Sequence, residues 1–158
     1  MSVKAALQIL DVSYAQINQT IEGQDLNIVA HLDSGWKIKD ILTHLTFVDQ
    51  SSTLLLEGFI EDREPDIPEE WQKYGANDFI HEERKDYSVA RVLAEFEAAR
   101  NELKAAYQRI PGDRETEKFM APWQYHYTPE WFAQMLADHA AIHQQEIVRA
   151  LAKVQKAG

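Results

Sequence analysis

The sequence predicts an all-α protein built as a four-helix bundle, and three observations carry that prediction. Apolar residues recur at steps of three and four through four long segments, residues suited to helix ends stand at their boundaries, and no strand-like alternation of useful length interrupts them. At 158 residues, 45% of them apolar and 27% charged, the chain is expected to fold as one domain, residues 1–158, around a real hydrophobic core.

The first segment places Val3, Leu7, Leu10, Tyr14, Ile17 and Ile21 on a single seam before residues 23–27 interrupt it. A second helix is expected over residues 37–60, with Ile38, Ile41, Leu42, Leu45, Val48, Ser52, Leu55, Leu56 and Phe59 on its inner arc. The reversal Asp33-Ser34-Gly35 and the large anchor Trp36 introduce it. Residues 61–87 are acidic and broken by Pro65, Pro68 and Gly75, yet carry Trp71, Tyr74, Phe79 and Ile80. A solvated linker has no use for those side chains, so this segment reads as a long crossover with one or two short helices packed on the bundle. The third helix starts at the N-cap Ser88, runs through Val89, Val92, Leu93, Phe96, Leu103, Tyr107 and Ile110, and stops at Pro111-Gly112. The fourth opens with Thr128 as cap, Pro129 at the first helical position and Glu130 facing the positive end of the dipole. It should run to about residue 154.

Charge and composition then exclude whole classes of function. Sixteen Lys and Arg against 26 Asp and Glu leave a net charge of −10, which repels nucleic-acid phosphates and anionic lipid headgroups. The absence of cysteine rules out disulfides, thiolate metal sites and a cysteine nucleophile. The N-terminal segment lacks the uninterrupted apolar core of a signal peptide, and no stretch approaches the roughly 20 apolar residues of a membrane span, so a cytoplasmic location is expected.

Chemistry enters on the fourth helix, whose inner seam is Phe132, Leu136, His139, His143, Glu146 and Ala150. Three successive polar positions on a core-facing seam need partners, because an unpaired buried polar group costs about 1–3 kcal/mol. Histidines four apart lie on one helix face and can share one cation, although such a pair also occurs as a hydrogen-bonded or surface pair. His44, at the edge of the apolar arc of the second helix, adds a third imidazole. A Glu-x-x-His di-iron pattern, His-Glu-x-x-His, a glycine-rich phosphate loop, Gly-x-Ser-x-Gly and an EF-hand loop are all missing from the sequence. The remaining candidate is a mononuclear site of His44, His139 and His143.

Two segments resemble a known family. Gly35-Trp36-Lys37-Ile38-Lys39-Asp40-Ile41-Leu42-Thr43-His44-Leu45 is similar to the Gly-Trp-x-x-x-Asp-x-Leu-x-His-Leu signature that opens the second helix of the DinB-like (YfiT-like) superfamily. Asp138-His139-Ala140-Ala141-Ile142-His143-Gln144-Gln145-Glu146-Ile147 resembles its His-x-x-x-His-x-x-x-Ile motif on the last helix. The resemblance spans nearly the whole chain and implies an up-down-down-up bundle, a homodimer, and one divalent metal held by His44, His139 and His143 together with water. Where relatives often have Ser or Thr to cap the second helix, this chain has Lys37.

Three neutral imidazoles leave a divalent ion its full charge and an open position, which makes it a Lewis acid able to lower the pKa of a bound water or thiol. Imidazole suits zinc, nickel, copper and iron, and zinc or nickel is the expected occupant. The resemblance implies transfer of low-molecular-weight thiols, isomerisation of thiol adducts, or hydrolysis of small molecules. The alternative is a non-catalytic dimeric bundle with a vestigial or structural site. Glu146 is expected to support an imidazole or reach solvent rather than act in catalysis. His126, with Trp123, Tyr125 and Tyr127, is a candidate for the pocket mouth, and His31 and His81 read as surface loop residues.

Overall fold

A computed structural model describes residues 2–157 as six α-helices, one 3-10 turn at Gly112–Arg114 and one small hairpin. Helix α1 (Val3–Ile21) is capped by Ser2, whose Oγ accepts the Ala5 N–H at 3.3 Å. Helix α2 (Ile38–Ile60) follows a turn in which Gly35 takes φ +73°, a conformation that glycine adopts without strain. Its cap Lys37 has no side-chain acceptor, and the helix solves this from inside: Asp40 Oδ2 accepts the Lys37 backbone N–H at 2.8 Å. The crossover holds two short helices, α3 (Glu69–Gln72) and α4 (Ala76–Arg84). Helix α5 (Val89–Gln108) is capped by Ser88 Oγ, which accepts the Arg91 N–H at 3.1 Å. Helix α6 (Pro129–Ala157) has Thr128 Oγ1 accepting the Trp131 N–H at 3.3 Å, and ends three residues beyond the boundary expected from its periodicity.

One element has no counterpart in the sequence reading. Strands β1 (Phe119–Ala121) and β2 (Tyr125–Tyr127) pair antiparallel between α5 and α6. Three-residue strands are too short to show alternation, and the aromatic run that forms them reads equally well as loop packing.

The helices run up, down, down, up, and the contacts fix the directions. Helix α1 lies along α6 in parallel: Ile9 and Val12 face Gln134 and Ala137, and a turn or two later Gln144 Nε2 donates to Thr20 Oγ1 at 3.0 Å. Helices α2 and α5 are also parallel, with Arg100 bonded to Asp49 and Arg109 to Glu57. Against α5, α1 runs the other way, since Leu10 packs with Leu103 and Tyr107 while Ile17 and Ile21 pack with Val92 and Phe96. All α class and bundle direction therefore agree with expectation. Leu93 does not: it is exposed, and Ala99 and Arg100 occupy the buried face of α5 instead.

Buried charges tie these layers together. Lys39 Nζ donates to the carbonyls of Lys85 and Tyr87, both at 2.8 Å, and so fastens the end of α4 to the start of α2. Arg100, 3% exposed, donates to both carboxylate oxygens of Asp49 and to the Leu10 carbonyl, joining α1, α2 and α5. The Tyr107 hydroxyl donates to the Pro129 carbonyl at 2.8 Å, linking α5 to the start of α6. Among the described residues no helix is long and apolar enough to cross a membrane.

The crossover leaves α2 so closely that Gly58 has no room for a side chain. A Cβ there would stand 2.9 Å from the Arg63 carbonyl oxygen and from Pro65 N and Cα, all of them backbone atoms that cannot swing aside. Gly58→Ala is therefore expected to lower unfolding free energy by about 1–3 kcal/mol despite the better helix propensity of alanine. Urea denaturation tests it, and a variant as stable as the native chain would contradict the packing described.

Candidate metal centre

Helices α2 and α6 pack beside one another and bring their histidines together. His139 and His143, one turn apart on α6, have ring centroids 4.6 Å apart, and His44 of α2 stands 5.1 and 4.8 Å from them. His139 Nε2 lies 3.3 Å from His44 Nε2 and 3.1 Å from His143 Nε2, and one ligand atom from each of the three residues falls within 4.8 Å of the others. The rings are partly buried.

The outer edges of two rings are already engaged, and this fixes what faces inward. His143 Nδ1 is 2.8 Å from Glu146 Oε2, and His44 Nδ1 is 3.1 Å from Asn77 Oδ1. Both partners are acceptors, so the partner assignment puts the ring protons on Nδ1 and leaves both Nε2 atoms with lone pairs. His139 Nε2 thus meets two lone pairs and can donate at most one N–H between them. Burial, together with the neighbouring imidazoles, lowers His44 and His139 to pKa values of about 4, so neither takes up a second proton at neutral pH that could relieve the crowding.

A cation fits where a single proton does not. Two nitrogens bound at about 2.0–2.1 Å to one tetrahedral ion stand about 3.3 Å apart, close to both separations measured from His139. Neutral imidazoles, tautomers set by outer hydrogen bonds, and donors converging on one point are the features of a metal-ligating set. Among the described residues the cluster comprises three donors.

The surroundings involve residues that sequence reasoning placed elsewhere. His31 is not a free surface residue: its Nε2–H donates to the same Glu146 Oε2 at 3.1 Å. For Glu146, burial acts to raise the carboxyl, but the hydrogen bonds and charge from His143 and His31 outweigh it and hold the pKa below the ordinary value. His81 lies on α4 rather than in a loop, with Nε2 3.6 Å from Asp40 Oδ2. Trp36 stacks between these two histidines, at 5.9 Å from His31 and 5.1 Å from His81, with its ring tilted toward His44 at 6.2 Å. The large anchor before α2 therefore forms one wall of the site. Asn77 carried no sequence signal at all, because its partner is far away in the chain and a lone amide in an acidic crossover has no periodicity to mark it.

His139 also borders a cavity of about 460 Å³ between α2, α6, the crossover and the hairpin. Trp123 lines it, as expected of the aromatic segment before α6. His126 does not: it is an exposed residue of β2, paired in register with Met120, and the outward alternation of the strand turns it away.

Residues 20–148 match the family described as mycothiol maleylpyruvate isomerase N-terminal domain. No curated protein and no solved structure matches the chain.

Proposed function

The chain belongs to the mycothiol maleylpyruvate isomerase N-terminal domain family, a DinB-like four-helix-bundle family, and from that membership we propose that His44, His139 and His143 hold one divalent transition metal at which a low-molecular-weight thiol reacts with a small molecule. The observation that carries the reading is the convergence of three imidazole nitrogens, two of which have their outer ring N–H already committed. Bound there, a divalent ion supplies a Lewis acid that favours the deprotonated form of a thiol. Zinc or nickel suits the donor set.

The protein's own contribution is positional. Asn77 and Glu146 hold the rings of His44 and His143 so that lone pairs face inward, and His31 braces Glu146 from the other side. His139 belongs both to the cluster and to the cavity wall, so a small molecule seated in the cavity lies against the triad. Hydrolysis of a small molecule would use the same residues, and the family description favours thiol chemistry over it. The non-catalytic alternative calls for an ion enclosed by protein. Glu146, a carboxylate beside the cluster, instead engages the outer edge of His143 and so would not serve as a fourth protein donor, which supports the reactive reading over the structural one. One domain over residues 1–158, a homodimer and a cytoplasmic setting complete the proposal, and the charge of −10 argues against nucleic acid or anionic membrane as partners.

Elemental analysis of protein purified without a metal-affinity step tests this reading. About one equivalent of a transition metal is expected in the native chain, and none in the His139→Ala, His143→Ala double variant. A native chain that takes up neither zinc nor nickel on incubation would overturn it. Sedimentation of the same preparation tests the dimer.

A further inference from the structure

We propose that the cavity beside His139 is a subsite for the uncharged, aromatic or alkyl part of the substrate, and that Ser51 is the hydrogen-bonding anchor which selects it. The cavity's volume, about 460 Å³, lies within the range of small-molecule sites. Phe47, Trp71, Trp123, Phe132 and Met135 form much of its wall, and among the described residues His139 is the only titratable side chain on it. In the metal-free chain no side chain on that wall neutralises a carboxylate or phosphate, and burying such a group unpaired is strongly unfavourable. The net charge of −10 acts in the same direction by repelling anions before they arrive.

The aromatic walls are held in place rather than free to fold over the opening. Trp71 packs edge-on to Phe47 at 5.2 Å, and the Arg84 guanidinium lies 5.8 Å from its ring centroid. Trp123 stacks on Phe132 at 6.5 Å while its Nε1–H donates to the Tyr127 hydroxyl at 3.1 Å. That indole N–H is therefore spent within the protein.

The polar atoms on the wall narrow the ligand further. Ser52 Oγ donates to the Val48 carbonyl at 2.7 Å, and Gln72 Nε2 donates to the Ile67 carbonyl at 2.7 Å. Ser51 Oγ is different: it has no hydrogen-bond partner and is covered in this conformation, and a turn about χ1 of this cavity-lining residue is what would present it to a ligand. An unpaired hydroxyl on a mostly apolar wall rewards a ligand that brings one neutral donor or acceptor to it, and penalises a plain hydrocarbon that leaves it bare. The chemistry that the cavity's own side chains select is a neutral aromatic or alkyl group carrying a hydroxyl, carbonyl or similar function.

This deepens the proposed function by naming what would stand beside the triad, but the binding itself can be measured without any metal. Calorimetric titration of the full-length chain after EDTA treatment at pH 7 should give saturable binding of 1-naphthol, at least about tenfold tighter than 1-naphthoate. Ser51→Ala should weaken 1-naphthol by about fivefold or more, and Met135→Arg should shift the preference toward 1-naphthoate. Native protein that binds 1-naphthoate as well as 1-naphthol, or a preference unmoved by both substitutions, would overturn the proposal. Repeating the titrations with zinc separates the two readings. A chain that binds 1-naphthol and takes up no metal keeps the cavity and loses the metal centre, whereas zinc uptake without 1-naphthol binding does the reverse.

Discussion

Replacing Arg100 with methionine is expected to lower the stability of the chain by about 3–5 kcal/mol, with a fall in Tm of roughly 6–20 °C. Arg100 and Asp49 are each 3% exposed, and the guanidinium donates to Asp49 Oδ2 at 2.8 Å, to Asp49 Oδ1 at 3.3 Å and to the Leu10 carbonyl at 3.0 Å. The pair sits where three helices meet, so its loss strands a carboxylate from α2 and a carbonyl from α1 together. Burial already pushes the Asp49 carboxyl above its ordinary value, while Arg100 pulls it back. Without Arg100 only burial remains, and Asp49 should hold its proton in the folded chain at a pH where the unfolded chain has released it.

The sign of the pH dependence follows. An acid whose folded pKa lies above its unfolded value stabilises fully below the unfolded pKa and loses that stability as pH rises toward the folded one. Arg100→Met should thus unfold more easily at pH 7 than at pH 5, by more than the native chain does over the same interval. The double variant Asp49→Leu, Arg100→Met removes both groups and should recover most of the loss, because what is costly is the orphaned buried carboxyl rather than the missing pair. Guanidinium denaturation at the two pH values measures all of this. A single variant within 1 kcal/mol of native would mean that the pair is not what joins these helices.

That pair also shows where sequence reading stops. Asp49 and Arg100 stand 51 positions apart, and Arg100 shares its helix with the solvated Arg91, Glu97 and Glu102. Nothing local tells a buried arginine from an exposed one. Helix ends, by contrast, are local chemistry: Ser88 and Thr128-Pro129 announce α5 and α6, and both caps make the bonds their side chains are built for. The same distinction runs through the site. His139 and His143 are legible because one helical turn separates them on a seam that should be apolar, and His44 because it stands at the edge of another such arc and adds a third imidazole. Asn77, His31 and Trp36 matter through partners on other elements. Their contributions become visible only once α4 and the turn before α2 have been packed against the bundle.

If the triad holds a metal as proposed, Glu146 and Asn77 should set how tightly. Each accepts the Nδ1–H of one ring, Glu146 from His143 at 2.8 Å and Asn77 from His44 at 3.1 Å, and so each keeps the lone pair of its ring on the inward-facing Nε2. Losing that partner frees the ring to take the other tautomer, whose Nε2–H cannot ligate, and removes the polarisation that makes the donor nitrogen more basic. Glu146→Ala and Asn77→Ala are each expected to weaken zinc affinity by about 10–100-fold while leaving one equivalent bound at saturation. Glu146→Gln keeps an acceptor but gives up the charge, and should fall between native and Glu146→Ala. Asn77→Asp replaces a neutral acceptor with a charged one against the same Nδ1–H, and should bind zinc at least as tightly as the native chain. Competition against a chromophoric chelator orders the five proteins. Equal affinity in all of them would mean that the tautomers are set by the metal alone, and that the hydrogen bonds around the triad serve packing instead.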